Sequence, residues 1–111
     1  MSEQTSNPDQ QTGLSVTVDR GDNGPVVTVN GEIDLETSPE LSAVLATLEP
    51  PGGDVDVDLS GVTYIDSTGL RALLTARDMA REAGGSLRVS ATSSIVARLI
   101  EITGCNELLE R

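Results

Sequence analysis

The sequence predicts an α/β fold of one domain, with a mixed four-stranded sheet and helices packed on one face. The chain has 111 residues, which is enough for one hydrophobic core and too few for two. Segments that alternate between apolar and polar residues are separated by segments with helical spacing, so the strands joined through helices must run parallel. Every strand alternates instead of being apolar throughout, which indicates that the second face of the sheet is left to water.

The first elements predicted along the chain are a tail and a hairpin. Residues 1–12 are polar and lack periodicity, so we expect a disordered tail in front of a domain at 13–111. Apolar residues then alternate with polar ones over 14–18 and again over 27–33. The turn-rich stretch 21–25 between these runs predicts a β-hairpin.

The next segment predicts the first helix, over roughly 38–48. Thr37-Ser38-Pro39-Glu40 has the form of a capping box, in which the Thr37 hydroxyl and the Glu40 carboxylate would each satisfy a free backbone donor. Apolar residues follow at positions 41, 44, 45 and 48, which is the spacing of one helix face. The Pro-Pro-Gly-Gly stretch at 50–53 then ends this helix.

The second half of the chain predicts two more strands and two more helices. Residues 54–59 alternate strictly as a strand, and 61–65 are expected to form a short connection. A second helix starts at 66–69 and runs to about Ala83, with Leu70, Leu73, Leu74, Met79 and Ala80 facing inward. A fourth strand at 87–91 precedes a third helix, which carries the apolar residues Ile95, Val96, Leu99 and Ile102 and ends at Gly104.

Composition excludes several classes of function. The net charge of −11 would repel nucleic acid and anionic membrane surfaces. The chain contains no His and no Lys, which removes the usual catalytic triads, imidazole metal sites and lysine-dependent phosphate loops. No apolar run is long enough to span a bilayer. Few common enzyme classes are compatible with these absences, and we expect a cytoplasmic protein.

Two further features are expected to be structural. The acids Asp54, Asp56 and Asp58 would lie about 7 Å apart along one open strand face, which is too spread for a single metal ion. We expect a solvated face there and no metal site. The lone Cys105 has no basic neighbour in the sequence and is expected to be a packing residue.

The stretch Asp66-Ser67-Thr68-Gly69 is the candidate functional site. It places three good capping side chains in a row at a helix start that needs only one. Simple capping by Asp66 or Ser67 is one interpretation. A second role for one of the hydroxyl groups is the other.

A family resemblance favours the second role. The stretch 58–70, which contains Asp66-Ser67-Thr68-Gly69, resembles the signature segment of STAS-domain anti-sigma factor antagonists. Residues 31–35, followed by Thr37 and the helix start at 39–41, are similar to another recurring segment of that family, and 102–104 to its closing one. These segments cover about 14–105 in the expected order. Members usually continue with a further strand and a last helix, whereas only 106–111 remain here.

The resemblance implies a phosphorylation switch. It also implies that the protein is not an enzyme and has no catalytic residues and no cofactor, since ATP and magnesium would belong to the partner. The position phosphorylated in the family maps onto Ser67, with Thr68 as the second choice. The unphosphorylated form would bind an anti-sigma factor that is itself a serine kinase and thereby free a sigma factor, and a PP2C-type phosphatase would reset the cycle. The expected partner-binding residues are Asp34, Asp66, Ser67, Thr68, Gly69 and Arg71. For Asp34 and Asp66, a solvated carboxylate or a helix cap is the competing interpretation. We expect a monomer.

Two other functions compete with this one. A receiver-like domain phosphorylated at Asp58 would need a lysine near the phosphoryl group, which this chain does not have. A STAS adaptor subunit of a transporter or a stress-signalling complex, without phosphate cycling, stays open.

Overall fold

Strands and helices alternate along most of the chain in the computed structural model, which describes residues 2–4, 13–21, 24–48 and 53–110. The strands are β1 (Ser2–Gln4), β2 (Leu14–Gly21), β3 (Gly24–Ile33), β4 (Asp54–Ile65) and β5 (Ser86–Thr92). The helices are α1 (Ser38–Ala46), α2 (Ser67–Glu82) and α3 (Ser94–Thr103), followed by a C-terminal 3₁₀ helix (Asn106–Leu109). None of the helices in these ranges is both long enough and apolar enough to cross a bilayer.

The strands form one mixed sheet in the order β1-β2-β3-β4-β5. Strands β1, β2 and β3 pair antiparallel, so the predicted hairpin is present, and its turn residues 22–23 lie outside the described residues. Strand β4 pairs parallel with both β3 and β5, as expected for strands connected through α1 and α2. The predicted mixed α/β fold is confirmed.

One face of the sheet carries the core. Inward-facing residues in the middle of three neighbouring strands, Val27, Val57 and Val89, are in register and almost fully buried. Along each strand, the residues directly before and after the valine are half-buried or exposed. Helices α2 and α3 contact β4 and β5. The 3₁₀ helix adds Leu108, which is 0 % exposed, to the same core. The helices therefore lie on one face, as the strand alternation predicts.

The N-terminal segment differs from the expectation. Ser2–Gln4 pair with Thr17–Asp19 of β2, so the prediction of a disordered tail is wrong for these three residues. Residues 1 and 5–12 lie outside the described residues. Pairing along a sheet edge uses main-chain hydrogen bonds, which need no apolar side chains and leave little trace in the sequence.

Strand β4 is longer than predicted. It runs to Ile65, whereas the sequence indicates a connection over 61–65. Register shifts against both neighbouring strands interrupt the regular pairing of β4, and over the same stretch Leu59, Val62 and Ile65 are buried at intervals of three residues. These irregularities break the two-residue period from which strands are recognised in a sequence.

Two residues predicted to face the core are exposed instead. Met79 is 53 % exposed and Ile102 is 67 % exposed. Met79 follows Leu70 by nine residues, about two and a half helical turns, which puts it on the opposite side of α2. Ile102 follows the buried Ile100 by two residues, a rotation of roughly 200° about the helix axis. Apolar character alone therefore gives a wrong prediction of burial for these two residues, because their angular position about the helix axis decides whether they face the core.

Candidate functional site

The site lies where β3 and β4 end. Ile33 and Ile65 are paired in register and both are buried, so the next residues, Asp34 and Asp66, follow neighbouring parallel strands. Such strands are about 4.8 Å apart. The pairing of β4 with β5 ends at Thr92, opposite Leu59, so β3 and β4 continue beyond β5. The predicted meeting of Asp34 and Asp66 at one edge of the sheet is therefore present.

Asp66 caps the second helix. Its backbone is extended, and its Oδ1 atom accepts a hydrogen bond from the Gly69 N–H at 3.1 Å. The Asp66 N–H donates to the carbonyl of Ile33 at 3.2 Å, and its own carbonyl accepts from Leu70 at 3.0 Å. The capping interpretation of Asp66 is thus correct, and the hydroxyl groups of the next two residues are not needed for that purpose.

Ser67 is the first residue of α2 and is exposed, whereas Thr68 is half-buried. The Ser67 hydroxyl forms no hydrogen bond with the described part of the chain. It stands at the N-terminus of a helix of 16 residues, where free backbone N–H groups and the helix dipole favour an anion. Of the two hydroxyl groups, Ser67 is the one that an enzyme can reach more easily.

Gly69 brings the start of α2 against the end of β3. A Cβ atom at this position would lie 2.6 Å from Cγ2 and 3.0 Å from the carbonyl oxygen of Ile33. Gly69 is buried and Ile33 is fully buried, so neither side has room to move away. The absence of a side chain at Gly69 therefore fixes how close Ser67 lies to the turn after β3.

That turn, residues 34–37, is held by its own side chains. The Asp34 Oδ1 atom accepts hydrogen bonds from the N–H groups of Glu36 at 3.0 Å and Thr37 at 3.1 Å. The Thr37 Oγ1 atom accepts from the Asp34 N–H at 2.9 Å and donates to the carbonyl of Glu32 at 2.7 Å. One oxygen of Asp34 is thus committed to shaping the turn.

These bonds correct the expected capping box. Thr37 precedes α1 but makes no side-chain cap hydrogen bond, and its backbone already has helical angles. With the backbone in that conformation, the hydroxyl points back to β3 instead of forward to the helix. The sequence does not reveal this role of Thr37, because the capping-box pattern assigns its hydroxyl an equally suitable partner, a backbone N–H group at the start of α1.

Arg71 provides a positive charge near Ser67. It is exposed and follows Ser67 by four residues on α2, so both side chains project from the same face of the helix. The carboxylates of Asp34 and Asp66 lie at the same edge. The site therefore combines an exposed hydroxyl with an arginine on the same helix face and acidic residues that follow two neighbouring strands.

Comparison with known proteins identifies the family. Residues 16–110 match the family model described as "Mlab, STAS domain". The chain belongs to the STAS domain family. Over 97 residues this STAS domain is 34 % identical to the anti-sigma-B factor antagonist of Bacillus subtilis, covering 87 % of this chain and 89 % of that protein. It is 37 % identical over 84 residues to the anti-sigma-B factor antagonist of Staphylococcus epidermidis, covering 75 % and 78 % of the two chains.

Solved structures agree with the assignment to the STAS domain family. An anti-sigma factor antagonist from Mycobacterium paratuberculosis is similar, with a TM-score of 0.73, 28 % identity and coverage of 90 % of this chain and 86 % of that one. The unphosphorylated form of the anti-sigma factor antagonist SpoIIAA has the same fold, with a TM-score of 0.64 at 13 % identity and coverage of 85 % and 84 %.

The open face of this STAS domain keeps its acidic residues in separate local contacts. Asp54 accepts a hydrogen bond from a serine hydroxyl of β5 at 2.7 Å, and Asp56 lies 3.8 Å from the guanidinium of Arg88. Asp58 accepts hydrogen bonds from the Ser60 hydroxyl at 2.6 Å and the Ser60 N–H at 2.9 Å, and these hold the pKa of Asp58 below its usual value. Within the described ranges, no three potential metal ligands are grouped together.

Replacement of Thr37 tests the turn of this STAS domain. Thr37→Val keeps the shape of the side chain but leaves the Glu32 carbonyl and the Asp34 N–H without their partner, and Thr37 is only 5 % exposed. We expect the free energy of unfolding to fall by about 1–3 kcal/mol, as measured by urea denaturation. Thr37→Ser retains the hydroxyl and should lose less. A loss in Thr37→Ser with none in Thr37→Val would show that the methyl packing matters and the hydroxyl does not.

Proposed function

We propose that this STAS domain is an anti-sigma factor antagonist that binds an anti-sigma factor kinase and is switched off by phosphorylation of Ser67. The observation that carries the proposal is the position of Ser67. It is exposed at the start of α2, while Asp66 already caps that helix. The names of the relatives, which are anti-sigma-B factor antagonists, support the first half of the proposal.

The phosphate would leave the domain folded. A negative charge at an exposed helix N-terminus stabilises the helix by about 0.3–1 kcal/mol. Arg71, one turn further along α2, adds a favourable partner on the same helix face. Phosphorylation must therefore act by changing the affinity for the partner and not by unfolding the domain.

The phosphate would act on binding through charge and desolvation. Phosphoserine adds a charge of about −1.5 to −2 beside Asp34 and Asp66, which are negative already. Forcing this group into a tight contact that fits a neutral hydroxyl costs several kcal/mol. A change of about 5.5 kcal/mol in the binding free energy converts a 99:1 ratio of bound to free protein into 1:99. Phosphorylation of one side chain can therefore be large enough to switch binding off.

In the proposed cycle the catalytic groups belong to the partners. The kinase transfers the γ-phosphoryl group of ATP to the Ser67 Oγ atom, the hydroxyl proton is lost and ADP leaves. While Ser67 is unmodified, the domain occupies the kinase and a sigma factor is released. A PP2C-type phosphatase then hydrolyses the phosphoserine, which releases inorganic phosphate and restores the hydroxyl. The role left to this chain is to present Ser67 and the surface around it.

Phosphate mapping tests the site. The protein is incubated with Mg²⁺, ATP and purified anti-sigma factor kinases from the same genome, and the modified residue is located by mass spectrometry. We expect phosphate on Ser67, none on Ser67→Ala and normal labelling of Thr68→Ala. Phosphate on another residue, or undiminished labelling of Ser67→Ala, would refute the assignment. If no kinase binds or labels the protein, the adaptor function becomes the better explanation.

A further inference from the structure

A leucine stands out on the turn after β3. Leu35 is 73 % exposed, more than the other large apolar side chains of the described residues that are exposed, which range from 43 % to 67 %. It therefore contributes little to the core. Single exposed apolar residues are common on protein surfaces, so exposure alone does not indicate a function.

The backbone on which Leu35 stands is fixed. The residue lies between Asp34 and Thr37, whose side chains make the hydrogen bonds that shape the turn. Asp34 also accepts from the N–H of Glu36, directly after Leu35, and its carbonyl accepts from Ser38 at 2.8 Å. A protruding side chain on a fixed turn loses less conformational entropy when a partner binds it than one on a flexible loop.

The turn also adjoins Ser67. Ile33, two residues before Leu35, accepts a hydrogen bond from the Asp66 N–H and contacts Gly69. The residues beside Leu35 in the chain are acidic, Asp34 and Glu36, and both lie in the same turn. Leu35 is thus an apolar group with acidic neighbours on the edge that carries the exposed hydroxyl.

We infer that Leu35 is the apolar anchor through which this protein binds its kinase partner. The inference rests on the proposed function, because it assigns a further residue to the same binding surface. By charge complementarity, the matching surface of the partner is an apolar pocket with basic side chains on the border that faces Asp34 and Glu36, and without charge where it meets Ser67. Leu35 fills the pocket, and the acidic side chains face its basic border. The phosphate on Ser67 would lose its hydration in that uncharged contact without gaining a basic partner, and would therefore weaken binding beside this anchor.

Two variants of Leu35 and one control test the anchor. Affinity for the purified kinase that phosphorylates Ser67 is measured by titration calorimetry with the unphosphorylated protein. Leu35→Ala should bind about 10-fold or more weakly, as for a central interface residue, and Leu35→Glu more weakly still. The control is Ile102→Ala, which removes a comparably exposed apolar side chain (67 %) at the far end of α3 and should stay within about 2-fold of the unmodified protein.

Several outcomes would overturn the anchor. They are an affinity of Leu35→Ala within about 2-fold of the parent, an equal loss in Ile102→Ala, or a lowered melting temperature of Leu35→Ala, since an exposed side chain should not affect folding. A change of oligomeric state on size-exclusion chromatography would instead assign Leu35 to contact with a second copy of the chain.

The failure of the anchor can be told apart from the failure of the switch. If Ser67→Glu weakens binding and Leu35→Ala does not, only the anchor is wrong. If Ser67→Glu binds as well as the parent, the switch is wrong, whatever Leu35 does. If none of the kinases binds, both are wrong.

Discussion

Ser67→Glu should weaken binding of the anti-sigma factor kinase by about 100-fold or more, because a charge that is desolvated in a close contact without a partner of opposite sign costs several kcal/mol. The new carboxylate would stand at the exposed start of α2, at the edge that already carries Asp34 and Asp66. The Gln side chain in Ser67→Gln has nearly the same shape as that of Glu but no charge, so this variant should retain most of the affinity. Ser67→Ala should bind about as well as the unmodified protein.

The comparison of the Glu and Gln variants separates charge from size. Calorimetric titration of the kinase with each variant gives the two affinities directly. Circular dichroism and melting temperature should be nearly unchanged in both, because the side chain at position 67 is exposed and Asp66 retains the cap. If the Glu and Gln variants lose affinity to the same extent, bulk and not charge would be responsible.

Gly69→Ala should destabilise the domain, although alanine normally stabilises a helix relative to glycine by about 0.8–1 kcal/mol. The new Cβ atom would lie 2.6 Å from Ile33 Cγ2 and 3.0 Å from the Ile33 carbonyl oxygen. Overpacking of this kind typically costs about 1–3 kcal/mol. We therefore expect a net loss in the free energy of unfolding by urea denaturation, and weaker kinase binding because the start of α2 must shift.

A double-mutant cycle tests whether Ile33 is the cause. Ile33→Ala removes the Cγ2 atom and opens space, at its own cost for an emptied core position. Gly69→Ala should then cost less in the Ile33→Ala background than in the native one. A stabilising effect of Gly69→Ala in the native background would show that helix propensity outweighs the contact.

The strands could be predicted from the sequence wherever burial follows a two-residue period. This holds for β2, for the first half of β3 and for β5, and it gives the one-sided sheet. The second half of β4 was missed because its irregular pairing buries Val62, which is out of that period, and leaves Gly61 and Thr63 outside the core. Strand β1 was missed because main-chain pairing at a sheet edge requires no particular side chains.

The features of the candidate site that depend only on residues close in sequence were predictable. Asp66 as a cap and a hydroxyl left over beside it follow from the spacing of polar residues at a helix start. The contact of Gly69 with Ile33 and the bond from Thr37 to Glu32 depend on how α1 and α2 meet β3. Leu35 is apolar in the sequence, and only the structure shows that it points outward.

The central claim is that the charge state of Ser67 decides whether the kinase partner stays bound. The most direct measurement compares the affinity of the stoichiometrically phosphorylated protein with that of the same sample after phosphatase treatment. We expect the phosphorylated form to bind about 100-fold or more weakly and the treated form to regain full affinity. Equal affinities before and after treatment would contradict the claim.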